Sequence, residues 1–355
     1  MHSRQDLGHS MNKRVLVAMS GGVDSSIAAA LLKQQGMSVE GATMKLTAGL
    51  CCDISAAQAV CQHLGVPHRM IDARDRFSES VVRDFISEYR RGRTPNPCIT
   101  CNDLVKFRLL LDYARSQGFD HLATGHYARI EQDPTTARYL LKKGIDPDKD
   151  QSYFLYRLKQ EQMRHILFPL GGMRKADVRR LAAGLALPAA ERPESQEICF
   201  VPGNDYRSFL KEHAPETLRP GDMVMIDGKV VGRHDGVAFF TVGQRRKLGI
   251  AAGERLYVVS VEPDTNRVVL GKPFELQASE MAVANPNFVA VDKLHERTIV
   301  TVKIRYRSSY APAVIEPAGP DRVRVVFEQP VPGVCPGQAA VFYDNDIVVG
   351  GGVIE

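Results

Sequence analysis

Residues 20–26, Ser-Gly-Gly-Val-Asp-Ser-Ser, decide the fold of the first half of this 355-residue chain. The apolar run before them, Val15 to Met19, is typical of a buried strand, and the Ala/Leu-rich run after them, Ser25 to Gln35, predicts a helix. Two adjacent glycines let the backbone approach an anion closely, and the first amides of the helix point toward the same anion. The Gly-Lys-Ser/Thr string of kinases and GTPases does not follow. Residues 20–26 therefore predict a phosphate-binding loop of a class other than that of kinases and GTPases.

The pattern around this loop alternates between strand and helix. Such alternation predicts an α/β fold, in which a parallel sheet carries helices on both faces. The further predicted elements are strands at Val39–Met44, His68–Ile71 and His121–Thr124, and helices at Ser55–Leu64, Phe77–Tyr89 and Asp103–Ser116.

The pattern changes near residue 210. From Gly221 onward, short Val-rich runs are separated by turn signals such as Asp227-Gly228 and Pro332-Gly333, which is typical of β-hairpins and barrels. The Val-rich pattern pauses near Glu275–Pro286, where we expect a boundary. The predicted organisation is a nucleotide-binding catalytic domain at 1–208, a central β-rich domain at 209–277 and a C-terminal barrel-like domain at 278–355.

The composition is that of an ordinary globular protein, with 44% hydrophobic and 25% charged residues. No apolar run approaches the roughly 20 residues that a membrane span needs, and the polar first residues lack a signal-peptide core. We therefore expect a cytoplasmic protein without a membrane partner. The net charge of +5 is mild and is compatible with a large anionic partner if the positive charge is clustered.

Seven cysteines, an odd number in a long chain, argue against a disulfide scaffold and favour catalytic, redox or metal-binding roles. Cys98 and Cys101 lie in a loop stiffened by prolines, and a helix predicted to begin near Asn102 would direct its positive end at Cys101 and favour the thiolate. Cys199 lies far away in sequence, in a segment rich in Pro and Glu that is typical of a mobile loop.

The other four cysteines carry weaker signals. Cys61 and Cys335 are predicted to be small buried hydrophobic residues. The adjacent pair Cys51 and Cys52 is ambiguous, because a loop pair of this kind is compatible with a metal ligand but more often has no such role.

The chain resembles known proteins at two levels, a superfamily and a family. The loop at 20–26 resembles the PP-loop of the ATP pyrophosphatase superfamily, whose members adenylate their substrates. The chain as a whole resembles the tRNA-specific 2-thiouridylases (MnmA/TrmU family). The matching strings run in order along nearly the whole chain: Thr94–Asn102, Thr124–Ala128, Lys149–Leu155, Ile198–Phe200, Phe240–Arg245, Arg305–Arg307 and Pro336–Ala339. One departure is Cys98, where many relatives have Asp.

The resemblance implies ATP-dependent 2-thiolation of the wobble uridine in a tRNA anticodon. ATP would adenylate the C2 carbonyl oxygen, with release of pyrophosphate and later of AMP. It implies Mg²⁺ beside the pyrophosphate, with Asp24 as a ligand. The ATP contacts that it implies are Ala18, Met19, Ser20, Gly21, Gly22, Val23, Asp24, Ser25, Met44 and Gly125.

The resemblance also assigns the sulfur chemistry and the RNA contacts. Cys199 would receive sulfur from a donor protein as a persulfide, and Cys101 would act as the nucleophile or resolve the persulfide as a disulfide. The implied contacts to the flipped base and the tRNA anticodon stem-loop are Asn96, Pro97, Cys98, His126, Lys149, Asp150, Gln151, Arg305, Tyr306 and Gln338. Arg305 and Arg307 are expected to share one face of a strand that meets tRNA phosphates.

Three alternatives stay open at this point. Cys98, Cys101 and Cys199 could supply three thiolates to a 4Fe–4S cluster that activates sulfide in the same reaction. The loop is also compatible with another PP-loop adenylating ligase or amidotransferase, which would not need the cysteine pair. A non-catalytic tRNA-binding protein is disfavoured by the intact loop at 20–26.

Overall fold

The computed structural model describes residues 13–47, 53–190, 192, 198–250 and 253–355. Cys51, Cys52 and the polar N-terminal residues lie outside the described residues, as does the string Ser195–Glu197 before Cys199.

The described chain contains both helices and strands. Its strands are β1 Arg14–Ala18, β2 Ser38–Lys45, β3 His68–Asp72, β4 His121–Ala123, β5 Ala128–Gln132, β6 Tyr139–Lys143, β7 Ile166–Leu167, β8 Gly221–Met225, β9 Val230–His234, β10 Tyr257–Glu262, β11 Arg267–Gly271, β12 Gln277–Phe288, β13 Thr298–Lys303, β14 Ala311–Pro317, β15 Arg322–Pro332, β16 Ala339–Asp344 and β17 Ile347–Ile354.

The α-helices are α1 Val23–Gln34, α2 Ile54–Leu64, α3 Arg74–Phe77, α4 Arg83–Arg90, α5 Pro97–Cys101, α6 Leu111–Ser116, α7 Gln160–Met163, α8 Lys175–Gly184 and α9 Tyr206–His213. Two π-helical stretches, Ser78–Val82 and Asn102–Leu110, continue α3 and α5. No helix in the described part of the chain is both long and apolar enough to span a membrane.

The chain divides into two compact units. The first comprises the chain up to Val81, Cys98–Phe200 and Asp346–Val348, and the second comprises Val82–Pro97, Val201–Asn345 and Val349–Glu355.

The first unit is built on a parallel sheet with strand order β3-β2-β1-β4-β7. The predicted parallel α/β sheet is thus confirmed. The order reverses at β1, because the chain moves to β2 on one side and later returns to β4 on the other. Ligands of such sheets bind at the carboxyl ends of the strands beside this reversal. The loop at 20–26 leaves the carboxyl end of β1, so the topology places it at that position.

The second unit is rich in β-structure, as predicted. A four-stranded sheet has the order β10-β11-β8-β9. The six strands β12 to β17 form a closed antiparallel barrel, because β12 pairs with both β15 and β17. Buried aliphatic and aromatic side chains, among them Val302, Ile315 and Phe342, fill the barrel interior. The expected boundary near Glu275–Pro286 stays a prediction. β12 begins at Gln277 within this stretch, and its Ala and Asn residues pair as strand although they lack the Val-rich signature.

Candidate active site

The loop between β1 and α1 is held by its own serines. The Ser20 amide donates to the Ser25 hydroxyl at 3.2 Å, and the Ser25 hydroxyl donates to the Gly22 carbonyl at 3.1 Å. The Ser26 hydroxyl donates to the same carbonyl at 2.8 Å. The sequence predicts that the serine hydroxyls face an anion. In the structure they also stabilise the turn that presents the loop amides.

Two glycines in this region are required by close approaches. Gly21 has φ +79°, and a Cβ there would lie 2.8 Å from the Asp53 carbonyl oxygen at the start of α2. Gly125, just after β4, packs on the loop itself, because a Cβ there would lie 2.8 Å from the Ser25 amide nitrogen. The loop is thus enclosed by the start of α2 on one side and by the segment after β4 on the other.

The other predicted ATP contacts lie on the strands and helix that carry the loop. Ala18 ends β1, Met19 follows it with its amide bonded to the Ala42 carbonyl of β2, and Met44 is the penultimate residue of β2. Val23 begins α1 and is buried. Because these positions lie at the carboxyl ends of adjacent strands, their arrangement is compatible with one nucleotide site.

Asp24 is fixed by two groups from distant parts of the sequence. The Lys175 ammonium donates to both carboxylate oxygens, at 2.7 and 2.8 Å, and the Tyr127 hydroxyl donates to one of them at 2.7 Å. Lys175 is only 8% exposed and begins α8, whereas the Asp24 side chain is 33% exposed. Lys175 thus offsets the negative charge that Asp24 brings to the loop.

Residues 144–152 stabilise the contacts around Asp24 by forming hydrogen bonds that hold Tyr127 in place. The Gln151 side-chain oxygen accepts from the Tyr127 amide at 3.0 Å, and the Gln151 amide donates to the Tyr127 carbonyl at 2.8 Å. The buried Asp150 carboxylate accepts from the amides of Gly144 and Ser152. Lys149 is half-buried. Gln151 and Asp150 therefore organise the protein around Tyr127, and their contacts to tRNA stay a prediction.

The helix that carries the cysteines begins earlier than the sequence indicated. It begins at Pro97 and continues without a break through the π-helical stretch, so that Cys101 lies inside it. The predicted helix start at Asn102, and with it the helix-dipole argument for Cys101, is wrong. Pro97 takes the first helical position, where its missing N–H costs nothing. Cys98, not Cys101, lies in the first turn.

The two cysteines differ in environment. Cys101 is buried, with 8% exposure, whereas Cys98 is exposed. Surrounding protein nevertheless desolvates the Cys98 thiol and raises its pKa, an effect that the positive charge of Lys106 opposes. Next to Cys101, the Asn102 side-chain amide donates to the Phe154 carbonyl at 3.2 Å and so anchors this helix to the segment after Gln151.

His126 lies between two aromatic rings, with centroid distances of 5.7 Å to Phe107 and 5.8 Å to Phe168. One of its ring nitrogens, Nδ1, lies 2.6 Å from the Thr124 hydroxyl. Burial lowers the pKa of His126 well below its usual range, and Lys106 lowers it further. His126 is therefore neutral at physiological pH, and its contact with RNA stays a prediction.

Cys199 is exposed and lies in a turn whose next residue, Phe200, packs against Phe77 with ring centroids 5.5 Å apart. Its predicted pairing with Cys101 stays a prediction. Within the described ranges, which include Cys98, Cys101 and Cys199, no three His, Cys, Asp or Glu side chains gather as metal ligands would. The cluster hypothesis is therefore not favoured. Cys61 and Cys335 are buried free cysteines, as predicted.

The donor set also bears on Mg²⁺. Asp24 is the carboxylate that the loop offers, and Lys175 and Tyr127 already hold it. Mg²⁺ in nucleotide enzymes commonly takes one or two carboxylates and fills its remaining positions with water and phosphate oxygens. A Mg²⁺ ion carried mainly by the nucleotide is compatible with this donor set, and Asp24 as one of its ligands stays a prediction.

In the second unit, Arg305 is engaged with backbone. Its guanidinium donates to the carbonyls of Val242 at 2.9 Å and Gly333 at 2.5 Å. The expectation that Arg305 and Arg307 share a strand face is wrong, because β13 ends at Lys303 and the chain turns over the following residues. Arg307 is exposed and Tyr306 is half-buried, with the Lys303 ammonium 5.5 Å from its ring centroid.

The second unit also contains Gln338 and the loop before the cysteine helix, and this loop belongs to the unit up to Pro97. The Gln338 side-chain amide donates to the Thr94 carbonyl at 2.8 Å. Asn96 is half-buried and Pro97 is buried.

The sequence reasoning missed Lys175, which carries no motif of its own. One signal was available: a cation in the first turn of a helix opposes the helix dipole and costs stability unless a nearby anion compensates it. A lysine at the start of α8 therefore indicates a carboxylate partner, although it does not say which one.

Family models match nearly all of the chain. The models are described as a tRNA methyl transferase HUP domain (residues 13–203), a tRNA methyl transferase PRC-barrel domain (207–272) and an aminomethyltransferase β-barrel domain (278–354). Curated relatives similar to the chain bear the name tRNA-specific 2-thiouridylase MnmA. The protein of Acetivibrio thermocellus is 48% identical over 97% of this chain and 99% of its own length. Those of Caldanaerobacter subterraneus subsp. tengcongensis and Carboxydothermus hydrogenoformans are each 46% identical over 97% of this chain and 98% of their own length.

Proposed function

The chain belongs to the tRNA-specific 2-thiouridylase family, and on that premise we propose that it replaces the 2-oxygen of the wobble uridine of a tRNA with sulfur at the expense of ATP. The observation that carries the proposal is the near full-length similarity to these relatives, combined with an intact loop at the carboxyl edge of the sheet. The bare PP-loop would be compatible with other adenylating enzymes. The cysteines Cys101 and Cys199 in the same unit favour sulfur transfer.

The first step is adenylation. The uridine O2 attacks the α-phosphorus of ATP, the bond to the β-phosphate oxygen breaks, and pyrophosphate leaves. Loop amides between Ala18 and Ser25 hold the phosphates, and Met44 and Gly125 border the nucleotide. The Lys175 ammonium offsets the charge of Asp24, so that a highly anionic substrate does not meet an uncompensated carboxylate. Mg²⁺, when bound, offsets charge on the leaving pyrophosphate.

The second step transfers sulfur. The terminal sulfur of a Cys199 persulfide attacks C2, and AMP leaves with the oxygen. The Cys101 thiolate then attacks the Cys199 sulfur, and the electron pair of the broken S–S bond forms the C2 thiocarbonyl. The product is a Cys101–Cys199 disulfide, which an external thiol must reduce before the next turnover.

The proposed substrate contacts come from several segments of the chain. Asn96, Pro97 and Cys98 are proposed to surround the extruded base, and His126 to hydrogen-bond RNA as a neutral imidazole. The further proposed tRNA contacts are Lys149, Asp150, Gln151, Arg305, Tyr306 and Gln338. A donor protein that carries sulfur as a persulfide is proposed to deliver this sulfur to Cys199. The proposed domains are 1–208, 209–277 and 278–355, and the proposed compartment is the cytoplasm.

The test is reconstitution. Purified chain, ATP, Mg²⁺, a tRNA transcript and a persulfide source should yield 2-thiouridine on nucleoside mass spectrometry, with AMP and pyrophosphate as co-products. ADP as the nucleotide product, or sulfur incorporation without ATP, would contradict the proposal. Iron that copurifies anaerobically and is essential for activity would replace the persulfide route with the cluster.

A further inference from the structure

A buried threonine of β2 holds the backbone at the entrance of the phosphate loop, residues 20–26. Met19 lies between the end of β1 and Ser20, and its amide donates to the Ala42 carbonyl of β2 at 2.8 Å. The Met19 carbonyl accepts from the hydroxyl of Thr43, a side chain with no exposed surface, at 2.9 Å. Both backbone hydrogen-bonding groups of Met19 are thus bound by β2, one of them through a side chain.

The Thr43 hydroxyl is itself oriented by His68, the first residue of β3. The Nε2 atom of His68 lies 2.8 Å from the Thr43 hydroxyl oxygen. A hydroxyl carries one hydrogen, and Thr43 gives this hydrogen to the Met19 carbonyl, which can only accept. His68 must therefore donate to Thr43 through an Nε2–H. The hydrogen bonds run in one direction, from His68 to Thr43 to Met19.

Gly41 leaves the space that this contact needs. It lies two residues before Thr43 and therefore on the same face of β2. A Cβ at Gly41 would lie 3.1 Å from Met19 Cγ and 3.5 Å from His68 Cδ2. Both side chains thus pack over a position that carries none, beside the Thr43 hydroxyl that joins them.

The contact reaches the loop through one peptide unit. The Met19 carbonyl and the Ser20 amide belong to the same planar group, so fixing the direction of the carbonyl also fixes that of the amide. The Ser20 amide donates to the Ser25 hydroxyl at 3.2 Å, and this hydroxyl donates to the Gly22 carbonyl at 3.1 Å. Thr43 therefore sets the peptide plane from which the internal hydrogen bonds of the loop begin.

We propose that Thr43, oriented by His68, is a positioning residue for the phosphate loop and fixes the Met19–Ser20 peptide in the orientation that binds ATP. The inference rests on the proposed function only in that this loop binds ATP. A loop that is already ordered loses less conformational entropy when its ligand binds. Loss of the Thr43 hydroxyl should therefore weaken ATP binding in a chain that still folds.

The test is a double-mutant cycle in the full chain. Thr43→Val keeps the shape and removes the hydroxyl, Thr43→Ser keeps the hydroxyl, and His68→Phe keeps a ring and removes the donor. Thr301→Val is the matched control, because Thr301 is a half-buried strand threonine whose hydroxyl also donates to a backbone carbonyl, that of Tyr343 at 3.5 Å. Isothermal titration measures ATP affinity, AMP release with tRNA gives KM and kcat, and thermal unfolding gives stability.

Thr43→Val should weaken ATP affinity by about fivefold or more, the change expected from losing one hydrogen bond, and should raise KM for ATP accordingly. Thr43→Ser should stay within about twofold of the parent chain, and Thr301→Val should bind ATP as the parent does. His68→Phe should have a smaller effect, because Thr43 keeps its bond to Met19. In the Thr43→Val background, His68→Phe should cause no further loss, since the contact through which it acts is already absent.

Parental ATP affinity and KM in Thr43→Val would overturn the proposal, even if the variant were less stable, because Thr43 would then be a core contact without influence on the loop. Equal losses from His68→Phe in both backgrounds would overturn the part assigned to His68. If Thr43→Val does not fold, His68→Phe decides: weakened ATP binding supports the proposal and parental binding overturns it. A parent chain that binds ATP but does not thiolate tRNA would refute the proposed function, whereas the same ATP titrations would still decide this inference.

Discussion

Replacing Lys175 with Met is the sharpest test of the site, because it removes the ammonium that binds both oxygens of Asp24. Hydrogen bonds to charged groups contribute about 1.5–3 kcal/mol, and the partial exposure of Asp24 reduces this to about 1–2 kcal/mol of stability. ATP binding should suffer more. One elementary charge about 7 Å from a phosphate at an effective dielectric constant of about 20 is worth about 2–3 kcal/mol, or roughly 30- to 150-fold in affinity.

Isothermal titration with ATP at several Mg²⁺ concentrations measures the binding effect, and formation of AMP from ATP in the presence of tRNA measures adenylation. We expect Lys175→Met to require more Mg²⁺, because a metal ion can replace part of the lost positive charge. Lys175→Arg keeps the charge and should recover most of the ATP affinity.

Lys142→Met is the matched control. It also removes a lysine from an ion pair, here with Glu131 at 2.8 Å, but Lys142 lies on β6 and outside the phosphate loop. Its ATP affinity should equal that of the parent chain. If Lys175→Met bound ATP with parental affinity and an unchanged Mg²⁺ requirement while remaining folded, the charge argument would be refuted.

Three further predictions concern sulfur, RNA and pH. Cys101→Ser should abolish thiolation yet, when treated with the persulfide source in the absence of tRNA, accumulate a persulfide on Cys199 that mass spectrometry detects, and thiolation that persisted in a Cys199→Ser variant would show that the pairing is wrong. Arg307→Ala should lower the salt dependence of tRNA binding by about one counterion in a filter-binding series, whereas an unchanged slope would remove Arg307 from the RNA surface. Because burial raises the pKa of Cys98 above its usual 9.0, its alkylation rate should still be rising with pH at pH 9, where that of an ordinary thiol begins to level off, and Lys106→Met should move the profile to still higher pH; a profile that levels off at lower pH would contradict the burial effect.

The parallel sheet and the phosphate loop were predictable because their signals are local. An apolar run, two glycines and an Ala-rich run follow one another within residues 15–35, and each element forms where the sequence indicated. The positions of Ser20, Gly21 and Asp24 follow directly from that order. Side-chain partners from distant segments leave no such local trace.

The errors have identifiable physical causes. The prolines of Thr94-Pro-Asn-Pro predict a loop extending to Cys101, but a proline is also a favoured first residue of a helix, and the structure uses Pro97 in that way. Arg305-Tyr-Arg alternates as a strand would, but the chain turns there and Arg305 binds carbonyls. In both places a local pattern was compatible with two conformations, and contacts with residues remote in sequence selected one.

The contacts around Asp24 show how the fold assembles the site from separate motifs. Tyr127 and Lys175 lie 103 and 151 residues from Asp24 in sequence, and neither would reach the carboxylate unless the segment after β4 and the start of α8 were fixed first. Gln151 fixes the former by pairing with the Tyr127 backbone, and the Asp146 carboxylate fixes the latter by accepting from the Lys175 amide at 2.8 Å. A substitution at Gln151 should therefore impair ATP use as well as any RNA contact. A loss of adenylation with a small substrate analogue in place of tRNA would separate these effects, since the analogue cannot report an interaction with the rest of the RNA.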